Sequence, residues 1–528
     1  MPVPAGLCPL KTGDWQLISL QYYLTGVFPA LINHCHLHRI YDRVSMAASI
    51  KKNTVYNFIK TASAVVFPLI TFPYSSRVLH AENIGKIHFG SSIVSYISLF
   101  ASLGITTYAI RECSKVKNDK EELSRISSQL LSINIISTII AYIILAGLLL
   151  FWNALDGYKL LIIIQGMSIL FTTLGAEWLN MAMEDFKYIT IRTFVFQLLS
   201  IVCMFLFVHK PEHYLLYSII GLVSSSGANI ANIIYRRHYC RTRITFKIEW
   251  KRHLIPIFTL FALSLSQIIY VNVDTTMIGL IKGDVEVGLY STATRIYNIV
   301  NMAVASVAQV VLSELSFQYN QKERNYEKIN DLLKYSAQFI IIFGFPCVVG
   351  LNLLTSEIIE IIAGKEYLGA VLALHILTIA LLFSYLGGFV GNIILTPQGK
   401  DKVNLRNCII SAVLNLVLNA IFIPKWGLYA AAATTAISEI VCFCLAIPHI
   451  EKEVKLGNFI KLAGAPVLGC ILMTVCSFLL KLVVNGLVSR TIIIMLSCAF
   501  IYFIILILFK NELAMNFISL IKKKIVRK

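Results

Sequence analysis

The chain is short of charge. Only 14% of its 528 residues are Asp, Glu, Lys or Arg, while 57% are hydrophobic and the mean hydropathy is +0.74. Soluble domains carry about a quarter charged residues. The deficit excludes a soluble chain of this length and leaves a polytopic membrane protein. Acids are the scarcer sign, 28 against 46 Lys and Arg, a net charge of +18. The basic residues lie between apolar runs and no nucleic-acid module is visible, so the surplus reads as loops held on the cytoplasmic side and nucleic acid is not an expected partner. A phosphate loop is also missing. The Gly-Lys pair in "AGKEYLG", Ala363 to Gly369, lacks the frame and the following Ser or Thr. Uphill transport must therefore draw on an ion gradient, the membrane potential or a downstream sink. The 12 cysteines are scattered, most of them inside apolar runs, such as Cys442 and Cys444 in "EIVCFCLAIP". A thiol there behaves as a small hydrophobe, and no disulfide framework or zinc site is legible. Long outer loops are absent too. The longest is about a dozen residues, near "TSEIIEIIAGKEYLG" (Thr355 to Gly369), which leaves little room for an external catalytic domain. No catalytic constellation is evident, and no enzyme activity or cofactor is expected.

What is present is a series of about fourteen apolar stretches, each near the ~20 residues a bilayer crossing needs, from 54–76 through 490–509. Loop charge gives their orientation. With Lys51 and Lys52 cytoplasmic, one set of loops holds Arg111 to Arg125, "RRHYCRTRITFKIEWKRH" (Arg236 to His253), "QKERNYEK", "KDKVNLR" and the tail "KKKIVRK". That set carries about thirty basic residues and the opposite set fewer than about ten. The expectation is an all-α bundle of about fourteen crossings with both termini cytoplasmic. The first 45 residues fit no part of this. They are neither a long apolar run nor a signal peptide. Their "HCHLH" (His34, Cys35, His36, His38) reads either as a metal-ligand cluster or as part of an over-long start before Met46.

Two hairpins repeat. "RVLHAENIGKIHFGSSIVSY" (Arg77 to Tyr96) and "GLIKGDVEVGLYSTATRIYN" (Gly279 to Asn298) each pass a short acidic loop and restart at Ile84-Gly85 or Val287-Gly288. The offset spans six crossings. The expected organisation is an extension (1–45), an N-lobe (46–245), a C-lobe (246–450), and two further helices with a basic tail (451–528). Since six is even, the lobes share one orientation about an axis along the membrane normal, with a cavity between them.

Several residues are costly in hydrocarbon. "FPLITFPYSSRVL", Phe67 to Leu79, holds Pro68, Pro73 and Arg77 near the outer end of the first crossing. A helix lining a wet cavity accounts for all three; snorkelling to the interface accounts for Arg77 alone. Lys60 sits ~10 Å in from the inner end of that crossing. Asp274 and Arg295, in the seventh and eighth crossings, share a depth of ~10 Å below the outer loop, which invites an ion pair. That pair either pins the hairpin or is opened by a substrate anion or a coupling cation. Glu439 is near mid-membrane, with Asn415 and Asn419 one turn apart as expected donors to it. Glu177 lies toward the inner end, as a gate or a hydrated side chain.

"FPLITFPYSSRVLHAENIGKIHFGSSIVSYISLFASLGITTYAIRE" (Phe67 to Glu112) resembles the opening of bacterial polysaccharide and O-antigen flippases of the Wzx type. "VNVDTTMIGLIKGDVEVGLYSTATRI" (Val271 to Ile296) and "NLVLNAIFIPKWGLYAAAATTAISEI" (Asn415 to Ile440) resemble later hairpins shared across the multidrug/oligosaccharidyl-lipid/polysaccharide exporter superfamily. The resemblance implies a two-lobed inner-membrane bundle that moves undecaprenyl-pyrophosphate-linked oligosaccharide units to the outer leaflet, with a cationic cavity and proton or sodium coupling. It implies lipid-linked oligosaccharide and membrane lipids as partners, with a polysaccharide polymerase and a chain-length regulator beside them. Residue by residue it carries over Arg77 and Arg111 as substrate-binding and Asp274 as coupling. His80 stands where relatives often have glycine, which puts that turn in question. From depth alone, Lys60 and Arg295 join the substrate-binding set, and Glu439 and Glu177 the coupling or gating set. The rival readings are a cation-coupled drug exporter of the same superfamily, which favours acidic lobe centres, and a membrane polysaccharide polymerase.

Overall fold

A computed structural model describes residues 34–319, 321, 324–454, 459–511 and 513–515. Residues 1–33, the side chains of the His34–His38 cluster and the basic tail from 516 lie outside this description. The chain divides into two compact units, Met1–Phe58 and Ile59–Lys528. Both expected lobes and the two appended helices fall in the second unit, apart from the first residues of the N-lobe.

Among the described residues every regular element is helical. In chain order they are α1 (His34–Ser102), α2 (Ile105–Lys115), α3 (Lys120–Phe151), α4 (Lys159–Gly175), α5 (Glu177–Ala182), α6 (Phe186–Phe207), α7 (Tyr214–Tyr235) and α8 (Trp250–Ile281). There follow α9 (Asp284–Tyr319), α10 (Tyr326–Phe339), α11 (Phe345–Leu353), α12 (Thr355–Ile362), α13 (Val371–Gly388), α14 (Asp401–Ala446), α15 (Phe459–Val483) and α16 (Leu487–Leu508). Among the described residues ten helical runs are long and apolar enough to cross a membrane, and the protein is a multi-pass membrane protein. Two of those runs, Val66–Lys115 and Asp401–His449, reach 50 and 49 residues and each contains a sharp break.

The breaks have identifiable causes. In α1 the chain turns at His80, with φ 63° and ψ 169°, a conformation that favours glycine. Glu366 holds the turn from the far side. Its Oε1 accepts the Ala81 N–H at 2.9 Å and its Oε2 lies 2.8 Å from His80 Nδ1. A carboxylate on the freed N–H groups of a helix start is stabilising. In α14 the break is at Gly427, φ 55°, where a Cβ would collide with the Glu286 carboxylate. Glu286 accepts the Leu428 N–H at 2.9 Å. Each bent hairpin is thus capped by an acid from another hairpin.

The internal repeat is visible as a reciprocal contact. A Cβ on Gly85 would collide with the backbone carbonyl of Asp284, and one on Gly288 with that of Ala81. Gly288 stands 203 positions after Gly85, and Asp284 stands 203 after Ala81. Such mutual contact of equivalent positions is what a two-fold axis produces. Only glycine permits two backbones to approach this closely. Around this contact α4 packs on α7, and α8 and α13 pack on α14. The α15–α16 pair is tied to the bundle by Lys481, whose Nζ reaches Glu357 at 2.8 Å and the Leu353 carbonyl at 2.8 Å.

Candidate functional site

Asp274, on α8, is buried, and among the described residues its donors are neutral. It accepts from the Tyr290 hydroxyl, from Asn419 Nδ2 at 2.6 Å and from the Thr435 hydroxyl at 2.7 Å. Asn419 also donates to Asn415 Oδ1 at 3.0 Å and accepts from the Thr434 hydroxyl. Asn415, Asn419 and Thr434 are at most 1% exposed. One turn along α8, Tyr270 donates to Glu439 at 2.8 Å. Asp274 with Thr435, and Tyr270 with Glu439, are two antiparallel rungs between α8 and the second half of α14.

This corrects two expected pairings. Asp274 and Arg295 do not form an ion pair, and Asn415 and Asn419 serve Asp274 rather than Glu439. In both cases the residue that makes the contact stands five positions before the expected one. Five residues of helix turn ~140° beyond a full circle. Tyr290 faces Asp274, so Arg295 faces away; Thr434 faces Asn419, so Glu439 faces away.

Arg295 lies deep among the helices yet is only partly covered, so it borders open space. Its guanidinium carbon stands 4.2 Å over the Phe72 ring, and one nitrogen is 3.4 Å from His88 Nε2. The phenols of Tyr217 and Tyr367 are nearby. Among the described residues it has no carboxylate partner. Phe72 and His88 belong to α1 and Arg295 to α9, so the guanidinium spans the seam between the repeated halves.

Lys60 and Glu177 are brought together, 2.7 Å apart. The sequence reading missed the third member. Arg192, 5% exposed, binds the other Glu177 oxygen, donates to the Ala228 carbonyl at 3.0 Å and stacks over Tyr188. A lone arginine in the apolar run "YITIRTFVF" was the available signal.

Two family models match the chain. The polysaccharide biosynthesis protein family covers residues 50–313, and the MatE family covers 259–421. The chain belongs to the polysaccharide biosynthesis protein family. Its similar relatives include the capsular polysaccharide biosynthesis protein CapF of Staphylococcus aureus, 27% identical, over 74% of this chain and 96% of the relative. A putative O-antigen transporter of Escherichia coli is 23% identical over 77% and 97%. Among solved structures, the lipid II flippase MurJ in an inward closed conformation superposes with a TM-score of 0.71 at 17% identity, over 87% of this chain and 99% of that one. An inward-facing multidrug resistance MATE family transporter gives 0.58 at 15% identity, over 74% and 96%. At these identities the structures establish the fold.

In this family member the two arginines carried over by resemblance have partners of their own. Arg77 is exposed and closes the carboxyl end of α12. It donates to the carbonyls of Ile361 at 2.6 Å, Ile362 at 3.2 Å and Glu360 at 3.3 Å, and to its own Pro73 at 2.6 Å. A planar cation on free carbonyls at a helix end is favourable. The Tyr367 hydroxyl bonds the Ser76 carbonyl beside it, at 3.2 Å. Arg77 therefore clamps the first turn of the N-terminal half to the C-terminal half. Arg111 lies on an exposed ionic surface with Glu112 at 3.2 Å, near Arg252, Glu249 and Arg125. There the Arg252, Gln129 and Arg125 hydrogen bonds hold the Glu249 carboxyl down to about 2. Among the described residues no group of three or more His, Cys, Asp or Glu could hold a metal ion.

Proposed function

We propose that this protein is a flippase, carrying an undecaprenyl-pyrophosphate-linked oligosaccharide repeat unit from the cytoplasmic to the outer leaflet of the bacterial inner membrane. The glycan is destined for O-antigen, capsule or exopolysaccharide. The observation that carries this reading is Arg295: a guanidinium within the bundle, bordering open space, on the seam between the halves, with no acid beside it among the described residues. A cation so placed is costly unless an anion visits it. A diphosphate supplies charge and paired oxygens that match the planar fork. The polar glycan needs a wet cavity, while the polyprenyl chain stays in lipid. The names of the O-antigen transporter and capsule relatives support the same substrate class.

Transport follows an alternating-access cycle of about fourteen crossings in two lobes, with both termini cytoplasmic. Arg77, Glu366 and the Gly85–Gly288 contact hold the outer ends closed; opening requires the Arg77 fork to leave the α12 carbonyls. The coupling site is Asp274. Its oxygens, with the amide oxygens of Asn415 and Asn419, form an acceptor set fit for a proton or a sodium ion, and Glu439 is one turn away. Cation arrival displaces a neutral donor such as Thr435 and shifts α14 against α8. The MatE match over 259–421 favours a drug exporter as the second reading, but an unpaired Arg295 repels the cationic drugs such exporters take. A polymerase and a chain-length regulator would act downstream of the delivered unit.

The test is surface glycan in a strain lacking this gene. Arg295→Ala should abolish it while the variant reaches the membrane at normal level. Full glycan from that variant would remove Arg295, and this reading with it.

A further inference from the structure

A cavity of about 420 Å³ lies among the second half of α1, α4 and α7, with Ile268 of α8 also lining it. Its wall carries no charged residue. Six serines line it: Ser91, Ser95, Ser98, Ser168, Ser218 and Ser225. Ser95 donates to the Ser91 carbonyl at 2.7 Å, Ser168 to Gln165 at 2.7 Å and Ser218 to Tyr214 at 3.0 Å. Bonding back along the helix uses the hydroxyl hydrogen and leaves the oxygen lone pairs for another donor. Gln165 anchors its amide nitrogen on the Ile87 carbonyl at 3.0 Å, and its buried Oε1 has no partner. That oxygen is covered and turned onto Gly90, so it braces α4 against α1 and does not face the open space.

Gly221 adds a second, independent sign. It lies in the middle of α7 and lines the cavity. A Cβ there would meet nothing within 4 Å. No tight turn or close approach demands glycine, although glycine weakens a helix interior. What its missing side chain preserves is space in the cavity.

The chemistry selects the occupant. A drug cation would want a carboxylate, a diphosphate would want cations, and a polyprenyl chain would leave the serine lone pairs unanswered. A glycan brings many hydroxyl donors and apolar ring faces. It matches a wall of lone pairs interleaved with Tyr217, Val94 and Leu222. Tyr217, which lines the cavity, also lies within electrostatic reach of Arg295. We infer that this cavity is the docking subsite for the sugars next to the diphosphate, and that its shape selects which glycan passes. The inference rests on the flippase reading.

The test uses Gly221→Leu in the full chain, with two readouts. One is surface glycan in cells lacking the native gene. The other is the melting shift that farnesyl diphosphate, a head-group probe without sugar, gives the purified protein in nanodiscs. The subsite predicts a loss of surface glycan of about tenfold or more, with the farnesyl diphosphate shift retained. Gly221→Ala, a single added methyl, should give a smaller loss of the same kind and carries the test if the leucine variant does not accumulate. Wild-type glycan from Gly221→Leu would mean a merely water-filled cavity and overturn the inference. Loss of both readouts would also overturn it, since the head group would then be what the cavity holds. Failure of the flippase reading shows separately, as an Arg295→Ala protein that keeps both readouts.

Discussion

Two acids in the two repeated halves are neutralised in opposite ways. Glu177 in the N-terminal half sits between two cations, Lys60 and Arg192. Asp274 in the C-terminal half is held by an amide and two hydroxyls. An acid clasped by two cations cannot leave without exposing both partners. An acid held by neutral donors has no fixed cation beside it, and a proton or small cation can answer it. The first arrangement suits a fixed brace and the second an exchangeable site. Arg295 completes the contrast as a cation with no acid, lying between the halves. The fold repeats, but the charge pattern does not.

The contrast can be broken by removing one charge at a time. The largest effect on transport is expected from Asp274→Asn. The side chain keeps its size and its place among Asn419, Tyr290 and Thr435. Surface glycan should fall on the order of hundredfold, with a change in stability of under about 2 kcal/mol. A variant that transports normally would make Asp274 a second brace. Glu177→Gln should behave in reverse. It leaves buried Arg192 unpaired, so the purified protein should lose about 3–5 kcal/mol of stability. Transport per folded molecule, measured as glycan against membrane level, should change only a few-fold. A hundredfold loss per molecule at unchanged stability would move Glu177 into the coupling machinery. The smallest effect is expected from Arg77→Lys. Lysine cannot serve carbonyls on two sides with a planar fork. The outer clamp should loosen, giving a partial loss of glycan, about threefold to tenfold, and faster alkylation of a cysteine placed at Tyr367. Full complementation with unchanged labelling would show that Arg77 needs only its charge.

Much of this architecture was legible in the residues. Apolar run length and the scarcity of charge sufficed for an all-α membrane bundle, because burying backbone in lipid leaves few alternatives. The repeat could be read from Ile84-Gly85 and Val287-Gly288, and those glycines proved to be the reciprocal contact itself. Order along each helix was readable as well, since it follows from rise per residue. Azimuth was not. A hundred degrees per residue makes a pairing guess fail with an error of one or two positions, which is how Arg295 was assigned to Asp274 and Glu439 to the asparagines. Long-range capping was invisible for a different reason. Glu366 acts on Ala81 and Glu286 on Leu428 across spans that no local spacing encodes. Arg77 was picked out by its cost in hydrocarbon, but cost alone does not say whether a carbonyl, a headgroup or a substrate answers it. Arg192 was overlooked within an apolar run, although the same cost argument applied to it.

The central claim is that the unpaired guanidinium on the seam receives the diphosphate. The most direct measurement is equilibrium binding of undecaprenyl diphosphate to the full-length protein in nanodiscs, for wild type, Arg295→Ala and Glu177→Gln. The account predicts that Arg295→Ala weakens binding by on the order of hundredfold while folded Glu177→Gln binds as wild type. Equal affinity in wild type and Arg295→Ala would contradict it.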